Sequence, residues 1–388
     1  MSRIIELVAH IQQRTADIDE YLRKRHFPFP KFDEDGLSEL NLSTGEIAKA
    51  LHQLILGPSM CLRPMYNAVS PQAIYKYKIA SKMPIHGEIS FTDLAKDTDL
   101  SEVNIRRMLR HAMLFHRVFK EPREGFVAHT AASRRLAEDP LSDAVMGYMF
   151  EEVWPGFAHL FRLFPALEQF NSDEPNKTGS NHYLDTDKPA FEYYAVNPDK
   201  ARRFATAMTA FADGHGNSPL SLVQSYPWKT IGKGTVVDVG GSTGNVSTLI
   251  AIGMAEKLPD DLRERVHFQA HDFFTEQTVI ADAYIFRNIF HNWSDSRCIE
   301  ILRALIPTLR TGARIIVNDY VLPAPGTMPH MKELAVRQMD LIMLTLFNSR
   351  ERTRSDWIDL FKDADPRFSD VKIWTPEEIV LSGMMSLV

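Results

Sequence analysis

The chain contains almost no cysteine: Cys61 and Cys298 are the only two in 388 residues. Two cysteines cannot form a disulfide framework or a four-cysteine zinc site, which is typical of a protein in a reducing compartment. No metal site is predicted. The sequence also has no apolar run of the roughly 20 residues that cross a membrane, and a charge interrupts its first apolar stretch. We therefore expect a cytoplasmic protein without a membrane partner.

An excess of positive charge is absent as well. The formal net charge is −6 at pH 7, which argues against general binding of nucleic acid or of anionic membranes. What is present is an ordinary globular composition, with 44% hydrophobic and 24% charged residues. A chain of 388 residues is long enough for two domains with substantial cores.

The N-terminal third has the pattern of a winged helix. A short helix is predicted at 91–96, and Ser101 is placed to cap a second helix. Segments 118–119 and 126–128 are predicted to form two short strands around a Glu-Gly turn. A helix-turn-helix can bind DNA, but acidic residues lie beside the arginines of the second helix, which favours a packing or dimerisation module. We assign residues 1–135 to this N-terminal domain.

The rest of the chain, residues 136–388, is predicted to form a second domain. Its first part, 136–230, is helical and rich in aromatic residues. Strand-like and helix-like segments then alternate, with strands predicted at 235–239, 266–270, 283–286 and 314–317 and a helix at 294–309. This alternation predicts a doubly wound, mostly parallel, Rossmann-like α/β sheet over residues 231–388.

A glycine-rich turn follows the first of these strands. Residues 235–245 read TVVDVGGSTGN, so that Asp238 ends the strand and Gly240, Gly241 and Gly244 form the turn before a helix. Glycines permit positive φ and let a ligand approach the backbone, and a strand, tight turn and helix start hold adenosine-type cofactors. The order D-x-G-x-x-x-G differs from the G-x-G-x-x-G that binds a pyrophosphate. It suits S-adenosylmethionine, which has no phosphate; an ordinary glycine turn is the alternative.

Polar residues follow the other predicted strands, and the carboxyl ends of parallel strands are where such sheets bind ligands. His291 can act as a general base because the pKa of a histidine lies near neutrality. Asp319 and Glu351 can each hold the imidazole in one tautomer. The alternative is that His291 has a purely structural role. Several other polar residues follow the predicted strands, and this favours the functional interpretation.

Three further residues are candidates for contacts with a cofactor. Asp272 can accept a hydrogen bond from an adenine amino group while Phe273 packs on the ring. A helix cap or a surface acid is the alternative for Asp272. Arg287 can line the cofactor pocket or form a salt bridge with a nearby acid.

Five short motifs occur in a specific order along the chain. They are DVGGSTG at 238–244, AHDFF at 270–274, FRNIFHNWSD at 286–295, NDYVLPAPG at 318–326 and SRERT at 349–353. Together they resemble the class I S-adenosylmethionine-dependent O-methyltransferases, in the fungal branch related to the plant caffeate and flavonoid enzymes. The segment that matches a winged helix is similar to the dimerisation domain of that family.

The resemblance implies an enzyme that transfers a methyl group from S-adenosylmethionine to a hydroxyl of an aromatic or polyketide-like small molecule, in secondary metabolite biosynthesis. It implies that the N-terminal domain forms a homodimer and that residues 136–230 contribute the substrate pocket. It also implies residue roles: Gly240 and Gly241 in the cofactor loop, Asp272 and Phe273 at the adenine, Arg287 in the cofactor pocket, His291 as the base, and Asp319 and Glu351 as the acids that flank it.

Two features depart from the family pattern. Asn292 stands where the family usually has aspartate after the histidine. Between Val239 and Val266 the chain has no second apolar strand that ends in an acid, the residue that binds the ribose hydroxyls in such folds. Roughly 20 residues are missing, judged by the length of a strand and a helix.

Two explanations remain open for the missing segment. Either a coding segment has been lost from the sequence, or the protein truly lacks the second strand and its acid. In the second case the chain could be a methyltransferase-like protein without methyl transfer, such as a pericyclase or an inactive partner.

Overall fold

The computed structural model describes scattered residues between 5 and 24, and then residues 67–160, 172–213, 219–242, 244–253, 266–374 and 382–387. The chain divides into two compact units, Met1–Phe150 and Glu151–Val388. The predicted site of the missing second strand overlaps residues 254–265, which lie outside the described part of the chain.

The N-terminal unit combines helices with a small antiparallel sheet. Its elements are α1 (Val69–Lys76), β1 (Ile89–Ser90), α2 (Phe91–Lys96), α3 (Glu102–His116), β2 (Lys120–Arg123), β3 (Phe126–Ala128), α4 (Ala131–Glu138) and α5 (Pro140–Tyr148). The three strands have the order β1-β3-β2. The Ser101 hydroxyl accepts a hydrogen bond from the Asn104 N–H at the start of α3, which confirms the predicted cap.

One strand of this unit begins later than the sequence predicts. Residues 118–119 are not a strand; pairing begins at Lys120, which faces Ala128 of β3. Arg117 and Phe119 both have positive φ, +55° and +68°, so the backbone is not extended there. Phe119 is buried, at 2% exposure, so its side chain serves the core of the unit before the strand begins.

The first part of the C-terminal unit is helical, as predicted. After a π-helical segment, Met149–Val153, come α6 (Trp154–Leu160), α7 (Gly179–Leu184), α8 (Ala190–Val196), α9 (Pro198–Asp213) and α10 (Pro219–Ser225). Helices α6 and α7 pack backbone against backbone, since a Cβ on Gly179 would lie 2.3 Å from the carbonyl oxygen of Gly156.

The second part alternates strands and helices. Its elements are β4 (Val236–Val239), α11 (Asn245–Gly253), β5 (Ala283–Arg287), α12 (Asp295–Leu305), β6 (Arg314–Leu322), α13 (His330–Phe347), β7 (Arg352–Thr353), α14 (Arg354–Ala364), β8 (Val371–Trp374) and β9 (Ser382–Leu387). The sheet has the order β4-β5-β6-β9-β8, and β7 pairs with the end of β6. Strands β4, β5 and β6 are parallel, whereas β9 runs antiparallel to β6 and β8.

Both faces of this sheet are covered, which confirms the doubly wound α/β fold. Tyr284 and Phe286 of β5 pack into a core with Leu302 of α12 and Trp357 of α14. The alternate residue of β5, Ile285, packs into a core on the other face, which includes residues of α10 and α11. Because successive side chains of a strand point to opposite faces, an apolar run such as AYIF at 283–286 can supply both cores.

The predicted strand at 266–270 is wrong. These residues form no strand, and four of the five are exposed. In a doubly wound sheet with the order 3-2-1-4-5 the third strand pairs with the second and not with the first. In the described part of the chain β4 is the edge of the sheet, so this segment has no second strand to pair with.

Candidate active site

The glycine turn after β4 has the tight backbone that its sequence predicts. Gly240 has φ of +74°, a region that favours glycine. A Cβ on Gly240 would lie 2.6 Å from Ile289 Cδ1, and a Cβ on Gly241 would lie 2.7 Å from a carboxylate oxygen of Asp238. Since Ile289 precedes His291 by two residues, the glycine turn and the histidine segment are in direct contact.

The far end of the turn is close to the segment that failed to form a strand. Gly244 has φ of +77°, and a Cβ there would lie 2.5 Å from Cζ of Phe268. Phe268 is otherwise 71% exposed. Its ring therefore lies on the outer side of the turn, at the edge of the sheet where the second strand was expected.

Asp238 and Arg287 lie at the carboxyl ends of the neighbouring strands β4 and β5. Asp238 Oδ2 accepts a hydrogen bond from the Ser247 hydroxyl at 2.7 Å, which ties the end of β4 to α11. Burial raises the pKa of Asp238, and the Ser247 bond and the positive charge of Arg287 oppose this shift. Arg287 Nε donates to Asn318 Oδ1 at 3.1 Å, and burial lowers the pKa of its guanidinium.

Asp272 and Phe273 take different positions. Asp272 is exposed, and its Oδ1 accepts a hydrogen bond from the Phe274 N–H at 3.1 Å within a turn that does not begin a helix. Phe273 reaches the glycine turn: its Cε1 lies 3.9 Å from the position of a Cβ on Gly240. Its ring also lies edge-on to Trp293, with 6.0 Å between the centroids.

His291 lies in a short 3₁₀ turn, Phe290–Asn292, between β5 and α12. The N–H of Phe290 donates to Asp319 Oδ2 at 3.0 Å, and the Asn292 amide donates to the carbonyl of Asn288 at 2.9 Å. An ionised aspartate at position 292 would have no hydrogen to donate to that carbonyl. The departure from the family pattern therefore adds a hydrogen bond within the turn.

The structure brings together the three residues that the sequence assigns to proton transfer. His291 Nδ1 lies 3.0 Å from Glu351 Oε1 and 3.9 Å from Asp319 Oδ1. The three residues are 8%, 1% and 0% exposed. The imidazole stacks on Tyr320, with 5.9 Å between ring centroids. Of the two acids, Glu351 is therefore the hydrogen-bond partner of the ring, and Asp319 holds the backbone of the turn.

The bond to Glu351 determines which nitrogen of His291 carries the proton. An ionised carboxylate can only accept a hydrogen bond, so Nδ1 is the donor. The lone pair is then on Nε2, which is the atom able to take a proton. Among the described residues, Glu351 Oε2 and Asp319 Oδ1 are buried with no hydrogen-bond partner, so both acids keep free acceptor capacity next to the ring.

Burial and charge act in opposite directions on this cluster. Burial lowers the pKa of His291, but the negative charges of Asp319 and Glu351 outweigh it and leave the pKa above the ordinary value. Burial, together with the charge of Glu351, raises the pKa of Asp319 to about 6, although His291 and Arg352 act against it. A histidine with a raised pKa is a stronger base. It also becomes neutral, and so able to accept a proton, only at a higher pH.

Residues that support the cluster were missed in the sequence. Asp340 of α13 accepts a hydrogen bond from the Glu351 N–H at 2.8 Å. Arg352 is fully buried and binds carbonyls of the histidine turn. For Arg352 the only sequence signal was its place in the SRERT motif. It was missed because nothing in a linear sequence distinguishes a buried arginine from an exposed one.

Comparisons with known proteins identify the family of the chain. Residues 179–366 match the model of a family described as the O-methyltransferase domain. The chain is 46% identical to O-methyltransferase pyvH of Aspergillus violaceofuscus, over 95% of this chain and 94% of that protein. It is 41% identical to the grayanic acid biosynthesis cluster O-methyltransferase of Cladonia grayi, over 98% of this chain and 87% of that protein.

The chain belongs to the S-adenosylmethionine-dependent O-methyltransferases. It is an enzyme of that class, and S-adenosylmethionine is its cofactor. The two alignments extend over 404 and 409 positions, more than the 388 residues of the chain, so these relatives contain residues that this chain lacks.

Solved structures support the fold. The structure of OxaC in complex with sinefungin and meleagrin superposes with a TM-score of 0.76 at 18% identity, over 99% of this chain and 98% of that one. A structure described as a pericyclic reaction enzyme superposes with a TM-score of 0.68 at 19% identity, over 97% of this chain and 100% of that one. At such identities the likeness shows the fold alone. The names of the closer relatives favour O-methylation over the pericyclase and inactive alternatives.

The described residues fit S-adenosylmethionine at the glycine turn. At each of its three glycines a Cβ would meet a neighbouring side chain, so the bare backbone is needed there, and Phe273 and two residues of opposite charge, Asp238 and Arg287, lie beside the turn. In the described part of the chain β4 is the sheet edge, so no second strand presents an acid for the ribose there. Among these residues no cluster of three or more potential metal ligands occurs, and no helix has the length and apolar character needed to cross a membrane.

The variants Gly240→Ala and Gly326→Ala separate backbone strain from close packing. Both glycines have similar φ, +74° and +76°, but a Cβ on Gly326 would meet nothing within 4 Å. Both variants should lose about 1 kcal/mol of stability from the left-handed backbone. Gly240→Ala should in addition bind S-adenosylmethionine at least about tenfold more weakly, or about 1.4 kcal/mol, because its methyl group displaces Ile289. Calorimetric titration measures both affinities, and equal values would contradict the assignment of this turn to the cofactor.

Proposed function

We propose that the enzyme methylates a hydroxyl of an aromatic or polyketide-like small molecule, with His291 as the general base. The observation that carries this proposal is the buried hydrogen bond between His291 Nδ1 and Glu351 Oε1, 3.0 Å, next to the glycine turn. When bound, S-adenosylmethionine supplies a methyl group on a positively charged sulfur, which leaves as a neutral thioether. The chain's own residues bind and orient the two reactants and remove the proton of the hydroxyl.

The proton follows a short route. Nε2 of His291 accepts the hydroxyl proton while the oxygen forms its bond to the methyl carbon, and the imidazole becomes a cation. Glu351, hydrogen-bonded to Nδ1, and Asp319, 3.9 Å from it, stabilise that cation electrostatically. Base assistance of this kind typically contributes about 10²–10⁴-fold. Most of the remaining acceleration comes from holding the reacting atoms in line.

Aromatic rings next to the histidine turn support an aromatic acceptor. Trp293 follows His291 by two residues and stacks on Phe191 of α8, with 5.7 Å between centroids. Phe191 also stacks on Phe347 of α13 at 5.5 Å, yet it remains 39% exposed. A planar acceptor can pack on such rings by offset stacking. The relative from Cladonia grayi carries a name from a biosynthesis cluster, which supports a role in secondary metabolism.

Replacing His291 tests the proposed base. The wild type, with labelled S-adenosylmethionine and a panel of phenols, should give a methylated product, and His291→Ala should lower kcat at least about 100-fold. Its affinity for S-adenosylmethionine should not change, because the imidazole is assigned to the acceptor. His182→Ala serves as the control, since His182 is exposed and outside the cluster. Full turnover in His291→Ala would remove the base from the mechanism.

The acid limb of the pH profile tests the two acids. Because the pKa of His291 is raised above its ordinary value, kcat/KM should fall as the pH drops through a pKa higher than that of a free histidine. Glu351→Gln keeps an acceptor for Nδ1 but removes a charge that raises this pKa, so the limb should move to lower pH. Rates measured across the pH range in both proteins check this; an unmoved limb would show that Glu351 does not act on the titrating group.

We also propose that the protein is a cytoplasmic homodimer that associates through its N-terminal unit. Val103 and Leu114 of α3 are 65% and 72% exposed and lie eleven residues apart, on one side of the helix. Light scattering should give twice the chain mass of 44.2 kDa, and Leu114→Glu should shift it towards one chain. A single-chain mass for the unaltered protein would contradict the dimer.

A further inference from the structure

Arg352 is a charged residue in the interior of the C-terminal unit. It begins β7, directly after Glu351, and its register partner is Val321 of β6. Its side chain is 0% exposed, and its guanidinium lies 5.3 Å from the ring centroid of Trp357. Burial of a guanidinium is costly unless its N–H groups form hydrogen bonds. The hydrogen-bond partners of Arg352 therefore indicate the role of this buried side chain.

The partners are grouped around one short turn. Nη1 donates to the carbonyl of Phe290 at 3.1 Å, and Nη2 donates to the carbonyl of Trp293 at 2.8 Å. Nε donates to Asp295 Oδ1 at 2.8 Å, at the start of α12. Phe290 and Trp293 stand on either side of His291 and Asn292. The planar guanidinium therefore spans the turn that carries the imidazole.

Further contacts fix the same carbonyls and the same segment. The Ser349 hydroxyl donates to the carbonyl of Trp293 at 2.7 Å, and the thiol of Cys298 lies 3.3 Å from Arg352 Nη2. The 349–353 segment therefore binds the turn through backbone contacts, while Glu351 of the same segment binds the ring. One segment thus sets both the position of the turn and the orientation of the imidazole.

We propose that Arg352 is a positioning residue for the reaction: its guanidinium holds the backbone on both sides of His291 and thereby keeps Nδ1 of the imidazole against Glu351. This inference rests on the proposed role of His291 as the base. A lysine could keep the charge but could not bind both carbonyls and Asp295 with a rigid planar fork. Substitution by lysine therefore removes the planar fork of hydrogen-bond donors and keeps the positive charge, so the two properties can be tested separately.

The charge of Arg352 has an effect of its own. The groups that face His291 are Asp319 and Tyr320 from β6, and Glu351 and Arg352 from the segment that leads into β7. The positive charge of Arg352 lowers the pKa of His291, in the same direction as burial and against the two acids. It also lowers the pKa of Asp319, against burial and the charge of Glu351. Loss of the charge should raise the pKa of His291, whereas loss of the fork alone should not.

The test uses three full-length variants and does not depend on an identified acceptor. Arg352→Lys keeps the charge, Arg352→Met removes charge and fork, and Arg350→Met is the matched control. Arg350 donates to Asp295 at 2.7 Å like Arg352, but it is half exposed and its other ion pair is with Asp356. The titration and nitrogen shifts of His291 are followed by NMR with isotope-labelled histidine, and the signal is assigned by its loss in His291→Ala.

The expected pattern separates the two effects. In Arg352→Lys the titration midpoint of His291 should stay near that of the wild type, but the nitrogen shifts should show a mixture of tautomers in place of the Nδ1–H form. In Arg352→Met the midpoint should also move to higher pH. The control should match the wild type in both respects. Wild-type nitrogen shifts in a folded Arg352→Lys protein would overturn the proposal, even if Arg352→Met proved too unstable to measure.

Turnover distinguishes failure of this inference from failure of the base. With the panel of phenols, Arg352→Lys should lose at least about tenfold in kcat, because small displacements of a catalytic group are costly, while its affinity for S-adenosylmethionine is kept. If His291→Ala is inactive and Arg352→Lys retains wild-type kcat and nitrogen shifts, the positioning role is wrong and the base stands. If His291→Ala retains turnover, the proposed base itself is wrong.

Discussion

The arrangement at the carboxyl end of the sheet depends on one buried hydrogen bond, between His291 Nδ1 and Glu351 Oε1. Each partner would be unfavourable in the interior alone, because a buried carboxylate or imidazolium pays a large desolvation cost. Together with Asp319 and Arg352 they form a set in which negative and positive groups compensate one another. The same set orients the imidazole, so the contacts that allow burial also give the ring the orientation that the proposed base requires.

The sheet brings these groups together from distant parts of the chain. His291 follows β5, Asp319 lies near the end of β6, and Glu351 comes after α13. The parallel register places Arg287, the last residue of β5, opposite Asn318, and β6 continues beyond this point to Leu322. Ile289, in the loop after β5, lies against Gly240, so the histidine turn and the glycine turn are in contact. The packing of neighbouring strands therefore brings together the proposed base and the turn proposed for the cofactor.

Within the described part of the chain, the sheet ends at β4 with no second strand beside it. Phe268 lies against the glycine turn, and the segment 266–270 forms no strand and is mostly exposed. The relatives named above contain residues that this chain lacks. A parallel strand beside β4 would normally carry the acid that binds the ribose, and its loss would weaken binding by roughly 1.5–3 kcal/mol, the value of a hydrogen bond to a charged group.

Much of the fold and the family could be predicted from the linear sequence, which also singled out the residues proposed to react. The D-x-G-x-x-x-G turn, the alternation of apolar runs and the polar residues after each strand are local patterns, and local patterns follow from backbone sterics and from burial of apolar side chains. The prediction of a strand at 266–270 was wrong because the residue pattern indicates only a propensity for extended backbone. A strand also needs an adjacent strand with which its backbone can form hydrogen bonds. The packing of the folded chain makes Glu351, and not Asp319, the hydrogen-bond partner of the ring, and it buries Arg352 against the histidine turn. Nδ1 of His291 lies 3.0 Å from Glu351 and 3.9 Å from Asp319, and no linear pattern encodes such a difference between residues far apart in the chain.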